Sequence, residues 1–393
     1  MKKSRHIDRG LRERIDHIVT AAVEQGQAPG VVAGIAHGDA AHVAVAGVAT
    51  LGRSPMTRDT LFRISSMTKP MTAAVVLAQI EAGVLGLDEP ADRLLPELAD
   101  RAVLRAPDGP LADTVPATRS ITVRDLLTFT FGFGMQGAMF AAAQPWPIVA
   151  AAGELNLGTF GPPMPGTLPD PDTWMARLGS LPLLAQPGER WLYQAGSQVL
   201  GVLAARADAK PFADVMRDRL LAPLGMHDTG FAAADTARLA TAYQRSGDGW
   251  EVLDPPDGHW SRPPAFADGS GGLISTVDDL LTFGRMLLDG GTSVLAPATV
   301  TQMTQDQLTP AQHAAVWPGF SFLGGRGWGY GVSVLEDGRY TWDGGLGTAW
   351  SNIPAQDLCV VVLTQRFVDQ DGPAPVCDNV LNAARAGVAV QAS

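Results

Sequence analysis

Leu11, Ile15, Ile18, Val19 and Ala22 recur at helical spacing and Gly26 ends the run, which predicts a surface helix over about 7–26. Residues 31–36 and 41–48 are β-prone runs joined by His37-Gly38-Asp39-Ala40, a hairpin pattern. From Ser66 to Gly83 the chain is apolar through Met71, Ala74, Val75, Leu77 and Ala78, with no charge at its midsection, so a buried helix is expected. Further on, short helical patterns at 122–129, 198–207 and 212–221 alternate with Pro- and Gly-rich connections. A helix over 276–288 follows, then strand-like runs at 329–335, 339–343, 349–353 and 358–364, and a last helix over about 375–388.

Strands near both ends with helices between them predict an α/β (α+β) fold: one antiparallel sheet flanked by helices on both faces, with an inserted all-helical domain. The sheet domain is expected from residues 1–90 and 265–393, and the helical insert from 91–264. Within the insert, residues 132–171 carry Glu154 and Asp170 as their only carboxylates among Met135, Met139, Phe140, Trp146, Phe160 and Met164. A long, nearly uncharged loop of this kind is expected to be a lid or pocket wall; the alternative is an apolar loop packed on the core.

With 46% hydrophobic residues the chain can build a large core, and its net charge of −11 opposes binding to phosphate backbones and anionic lipid. No nucleic-acid or membrane partner is expected. Cys359 and Cys377 are too few for a disulfide framework, the histidines never fall at a metal-ligand spacing, and no cofactor motif occurs, so neither metal nor cofactor is expected. Met1-Lys2-Lys3 is followed by charged residues rather than an apolar stretch, which makes a cytoplasmic location the expectation.

Ser66-Met67-Thr68-Lys69 is an S-x-x-K tetrad in a chain whose only other lysines are Lys2, Lys3 and Lys210. At the head of an apolar helix, positions i and i+3 share a face, so the amine can reach the hydroxyl. Serine is a strong nucleophile only beside a base, and burial lowers a lysine toward the neutral form that can act as one. Read blandly, Ser66 is a helix cap and Lys69 a surface lysine.

Together with Glu81-Ala82-Gly83-Val84-Leu85-Gly86-Leu87-Asp88, Ile121-Thr122-Val123-Arg124-Asp125-Leu126-Leu127, Pro187-Gly188-Glu189-Arg190-Trp191-Leu192-Tyr193, Leu221-Ala222-Pro223-Leu224-Gly225-Met226, Gly271-Gly272-Leu273-Ile274-Ser275-Thr276 and Trp342-Asp343-Gly344-Gly345, the tetrad resembles the serine β-lactamase and penicillin-binding-protein superfamily. The likeness is greatest to its class C branch and to the family VIII carboxylesterases, and it spans about residues 30–365. It implies catalytic Ser66, Lys69 and Tyr193, with Tyr193 as a phenolate that takes the serine proton and returns it to the leaving alkoxide, and an oxyanion hole from the N–H groups of Ser66 and Gly345.

The departures bear on substrate. Where class C enzymes carry Tyr-x-Asn, this chain has Ala195 at the third position; where they carry Lys-Thr-Gly, it has Trp342-Asp343-Gly344. The cation that would grip a carboxylate is missing and Asp343 adds a negative charge, which favours an uncharged small-molecule ester. Phe129 and Phe131 replace the His and Ser common in relatives, so a greasy pocket lined by Phe129, Phe131, Met135, Trp342 and Gly344 is expected. Rival readings are a β-lactamase or D-amino-acid peptidase, an acyltransferase, and a non-catalytic binding protein that has kept the fold.

Overall fold

The computed structural model describes residues 6–247, 249–315, 317, 321–369 and 372–392, so the basic start at Lys2 and Lys3 lies outside them. Strand β1 (Gly30–His37) is buried along its whole length because it lies between strands from both ends of the chain. The others are β2 (Ala40–Thr50), β3 (Ser54–Pro55), β4 (Gly327–Trp328), β5 (Ser333–Val334), β6 (Tyr340–Gly344), β7 (Thr348–Ile353) and β8 (Leu358–Thr364). They form an antiparallel sheet in the order β4-β5-β6-β7-β8-β1-β2-β3, with Val31 opposite Thr364 and His37 opposite Leu358.

Five helices frame the sheet and the site: α1 (Arg9–Glu24), α2 (Thr68–Glu81), α3 (Ala195–Asp208), α4 (Val277–Leu288) and α5 (Val376–Ala392). The period-two alternation of β1 sorts them. Val31, Ala33 and Ile35 face α1 and α5 in one cluster with Leu11, Ile15, Val19, Val376 and Val380. Val32 and Ala36 face the other way, into the cluster that holds Met71 and Val75 of α2 and Val277 and Leu281 of α4. A side chain at Gly34 would meet Val277 Cγ2 at 2.6 Å, so the glycine lets α4 lie directly on the strand.

Between residues 91 and 264 the expected helices are present. Thr122 caps Val123–Leu127 through a capping box with Asp125, α3 follows, and Phe212–Met216 runs into a π turn at Arg217–Leu221. The stretch is not wholly helical, however. Ala102–Leu104 pairs with Thr114–Pro116, and Ala242–Ser246 pairs with Gly249–Asp254, because Val103 opposite Val115 and Tyr243 opposite Val252 match the pleat better than a helix face. Nor is 132–171 one continuous loop. Pro147 sits at the first turn of a helix, Pro147–Glu154, whose Ile148 and Ala152 are buried.

The expected strand at 329–335 is broken. Gly331 has φ +74°, and a Cβ there would meet Ala73 Cβ at 2.7 Å and Lys69 O at 3.0 Å, so this turn bends between β4 and β5 to sit against α2. Among the described residues no helix is long and apolar enough to cross a membrane.

The chain enters the site through Phe62–Arg63, which pairs with Ile274–Ser275. Arg63 is buried and its Nε donates to Asp254 Oδ2 at 2.7 Å, while its guanidinium also reaches the carbonyls of Ala240 and Pro255. Replacing one member of such a pair leaves an uncompensated buried charge. Arg63→Met is expected to destabilise the fold by roughly 3–5 kcal/mol, read by urea unfolding, with the double variant Arg63→Met/Asp254→Leu recovering part of the loss.

Candidate functional site

Ser65 turns the chain out of its strand with φ +47°, and a single 3-10 turn, Ser65–Met67, leads into α2. Ser66 therefore stands at the helix head, 9% exposed, where backbone N–H groups and the helix dipole favour negative charge. Lys69 lies one turn on and is fully buried; its Nζ is 3.0 Å from Ser66 Oγ. The amine is held further by Gln194 Oε1 at 2.6 Å and by the carbonyl oxygen of Ser270 at 2.7 Å. Lys69 is thus no surface lysine.

Tyr193 reaches the same hydroxyl from the other side, its phenol donating to Ser66 Oγ at 2.7 Å. A short antiparallel bridge fixes it there: Met135 N donates to Tyr193 O at 2.7 Å and Tyr193 N to Met135 O at 2.8 Å. Gly134 permits this approach, since a Cβ there would meet Tyr193 O at 2.4 Å. Trp342 Nε1 donates to the phenol oxygen at 3.1 Å, and the ring is stacked between Trp191 and Phe322 at centroid distances of 5.7 and 5.1 Å.

Burial lowers the Lys69 ammonium from 10.5 to about 7, against the opposing pull of the Asp268 carboxylate. Burial also pushes the Tyr193 phenol well above its ordinary value, opposed by its hydrogen bonds to Ser66 and Trp342. At neutral pH the amine is therefore the available base and the phenol stays protonated. The phenolate that the family resemblance implies is not the form these surroundings favour in the resting site, because burial disfavours the anion more than the hydrogen bonds to Ser66 and Trp342 support it.

The far wall comes from the end of β6 and the turn after it. A Cβ at Gly344 would lie 2.3 Å from Ile64 O, and Thr348 Oγ1 donates to that same carbonyl at 3.1 Å, so the strand end presses on the turn that carries Ser66. Gly345 follows and lines the same cleft as Ser66. The cleft has a volume of about 470 Å³ and is lined by Ser66, Tyr193, Trp342, Gly344 and Gly345, with Met135, Phe140, Phe160, Pro163 and Phe322 forming an aromatic and aliphatic side. The nearly uncharged 132–171 stretch thus contributes a wall of the cleft.

Two expected lining residues lie elsewhere. Phe129 and Phe131 are fully buried; Phe129, with φ +60°, packs on Trp328 at 4.8 Å and on Tyr193 at 6.2 Å, and Phe131 sits in the main core. They support the site from behind and do not face the cleft.

Asp343 also lines the cleft. Solvent reaches its side chain, although the surrounding protein raises its carboxyl to about 6 chiefly by desolvation, so it is largely ionised at pH 7. A cation does approach this strand: Arg326 lies 5.5 Å from the Trp342 ring centroid, but it donates to Leu323 O and Phe322 O and does not line the cleft. The sequence offers no motif that marks Arg326. For Gln194 the available signal is its place directly after Tyr193. Among the described residues no group of three or more His, Cys, Asp or Glu could hold a metal ion.

A family model described as beta-lactamase matches residues 15–379. The chain is 38% identical over 353 residues to an uncharacterized protein of Mycobacterium tuberculosis, covering 83% of this chain and 82% of the relative. It is 30% identical over 399 residues to Esterase EstB of Burkholderia gladioli, covering 93% of each. Its fold is similar to that of EstCE1, a hydrolase with promiscuous acyltransferase activity, at TM-score 0.80 and 25% identity, covering 95% of this chain and 98% of that one. With a serine hydroxyl 3.0 Å from a buried lysine at the head of α2, and matched almost throughout by the family model, the chain belongs to the beta-lactamase family.

Proposed function

We propose that the protein is a serine carboxylesterase that hydrolyses small uncharged esters through an acyl-enzyme on Ser66. The observation that carries this reading is the convergence on one hydroxyl of a buried amine at 3.0 Å and a phenol at 2.7 Å, at the head of a largely apolar cleft. Neutral Lys69 takes the Ser66 proton as Oγ attacks the ester carbonyl. The N–H groups of Ser66 and Gly345 hold the oxyanion. As the tetrahedral intermediate collapses, Tyr193 gives its proton to the leaving alkoxide and recovers one from the Lys69 ammonium through the site. A water then attacks the acyl-enzyme by the same steps in reverse order.

The esterase name of one relative and the hydrolase description of a structural neighbour agree with this reading, and the cleft explains the substrate class. Its described lining holds no lysine or arginine, and Asp343 repels an anionic substrate. A β-lactam or peptide carboxylate finds no partner there. A second reading, transfer of the acyl group to an alcohol, is favoured by the acyltransferase activity named for EstCE1, and an apolar cleft that holds an alcohol better than water would produce it.

Ser66→Ala is expected to lower kcat on a short-acyl p-nitrophenyl ester by about four orders of magnitude; undiminished turnover in a purified, correctly folded variant rules the mechanism out. Nitrocefin should be turned over far more slowly than that ester, and comparable rates would promote the β-lactamase reading. For the wild type, kcat/KM should rise with pH through about 7 as Lys69 loses its proton, and then level, because the raised phenol does not ionise in that range. Stability follows the same group. Since the folded lysine titrates near 7 and the unfolded one near 10.5, the unfolded state binds more protons between these values and stability rises with pH across that window. Lys69→Met should therefore abolish turnover, raise the thermal midpoint at pH 7 and remove that slope.

A further inference from the structure

We propose that Gln194 is a positioning residue that aims the lone pair of Lys69 at Ser66, an inference that rests on the serine-hydrolase reading above. A neutral amine has two N–H donors and one lone pair. The two closest acceptors around Nζ are Gln194 Oε1 at 2.6 Å and Ser270 O at 2.7 Å, and when both N–H groups are given to them the lone pair is left facing Ser66 Oγ at 3.0 Å. Trp342 donates to Tyr193 and Tyr193 to Ser66, and with the amine neutral the Ser66 hydroxyl can complete the chain by turning its own hydrogen to the Lys69 lone pair 3.0 Å away. Without one acceptor the amine could turn an N–H toward the serine, and proton transfer would lose its geometry.

Gln194 holds its own position by two devices. Its Nε2 donates to Ser270 Oγ at 2.8 Å, which sets the amide with its oxygen toward the amine. Its backbone adopts φ +84° and ψ −65°, closed by Ala195 N donating to Tyr193 O at 3.2 Å, the geometry of a strained γ-turn. Such a conformation persists where the surroundings over-determine it, and here it reverses the chain directly after Tyr193, so that neighbouring residues both point at the site. This also resolves the departure at Ala195: the amide that class C enzymes present two residues after the tyrosine is presented one residue after it.

The ionisable groups that face the amine are the Tyr193 phenol, whose ring centroid is 4.5 Å away, and the Asp268 carboxylate, which accepts from Ser270 N at 2.7 Å; Asp343 acts on Tyr193 from β6. With these unchanged, Gln194→Met and Gln194→Glu should move the reaction in different ways. In Gln194→Met, kcat on a short-acyl p-nitrophenyl ester should fall roughly 10- to 100-fold with KM little changed, and the acid limb of kcat/KM should move to lower pH, because the ammonium has lost an acceptor. In Gln194→Glu the limb should move to higher pH, because a carboxylate favours the ammonium. Stoichiometric labelling of Ser66 by a fluorophosphonate reports that each variant is folded; where Gln194→Met does not fold, the upward shift in Gln194→Glu decides alone. Wild-type kcat and an unmoved limb in the folded variants, with Ser66→Ala inactive, overturn the role of Gln194 and leave the esterase reading standing. Full activity in Ser66→Ala overturns the reading itself.

Discussion

The structure around the site depends on taking the amine of Lys69 completely out of water. A lysine so enclosed loses its hydration, and the loss brings its proton within reach of neutral pH. That loss opposes folding, so it persists only where other terms are large. Here α2 is buried from Thr68 to Leu77, and Met71, Val75, Val76 and Leu77 each stabilise the fold by about 1.5–3 kcal/mol through burial. The apolar helix is thus both the reason the amine is a base and the source of the stability that offsets keeping it there.

Enclosure also explains why small residues and unusual backbone angles gather at this place. Gly331 lets the β4–β5 turn touch Lys69 O, Gly344 lets β6 touch Ile64 O, and Gly134 lets the bend before Met135 touch Tyr193 O. A methyl group at any of these positions would push one wall away from the amine. Ser65 at φ +47° and Gln194 at φ +84° do the complementary work, turning the chain sharply so that Ser66 and Tyr193 meet at one point. Strain of this sort, of order 1–3 kcal/mol per residue, is tolerable in a chain with so large a core and is concentrated where the geometry is most demanding.

What the sequence shows and what it hides follow from the range of the interactions involved. Ser66 and Lys69 are legible because a three-residue spacing on an apolar helix is a local fact, and the central strands are legible because alternation is local too. Phe129 and Phe131 look like pocket residues in the sequence because an aromatic side chain reads the same whether it lines a cleft or stands one layer behind it. Only the positive φ of Phe129 and its packing on Trp328 decide the matter. The broken strand at 329–335 turns on Gly331 meeting a helix far away in sequence, and Arg326 reaches Trp342 from a segment with no motif of its own. Gln194 shows the limit most clearly: the residue was beside the tyrosine, but its direction depends on a γ-turn that no periodicity reveals.

The direction of the hydrogen bonds constrains the proposed reaction further than the identity of the residues does. Trp342 donates to the Tyr193 oxygen, so that oxygen already accepts one hydrogen bond when it offers its proton to Ser66. A phenol in this state is prepared to give a proton and ill placed to receive one until the serine has been acylated. Once Ser66 Oγ is bonded to the acyl carbon, it no longer donates to Lys69, and the ammonium and the phenol both face the leaving oxygen. The amine therefore has to begin neutral, become charged as Ser66 attacks, and pass its proton to Tyr193 before the half-reaction ends, which a lysine with its ordinary affinity for protons would not do. Burial of Lys69, the raised phenol of Tyr193 and the apolar cleft are in that sense one requirement met three times.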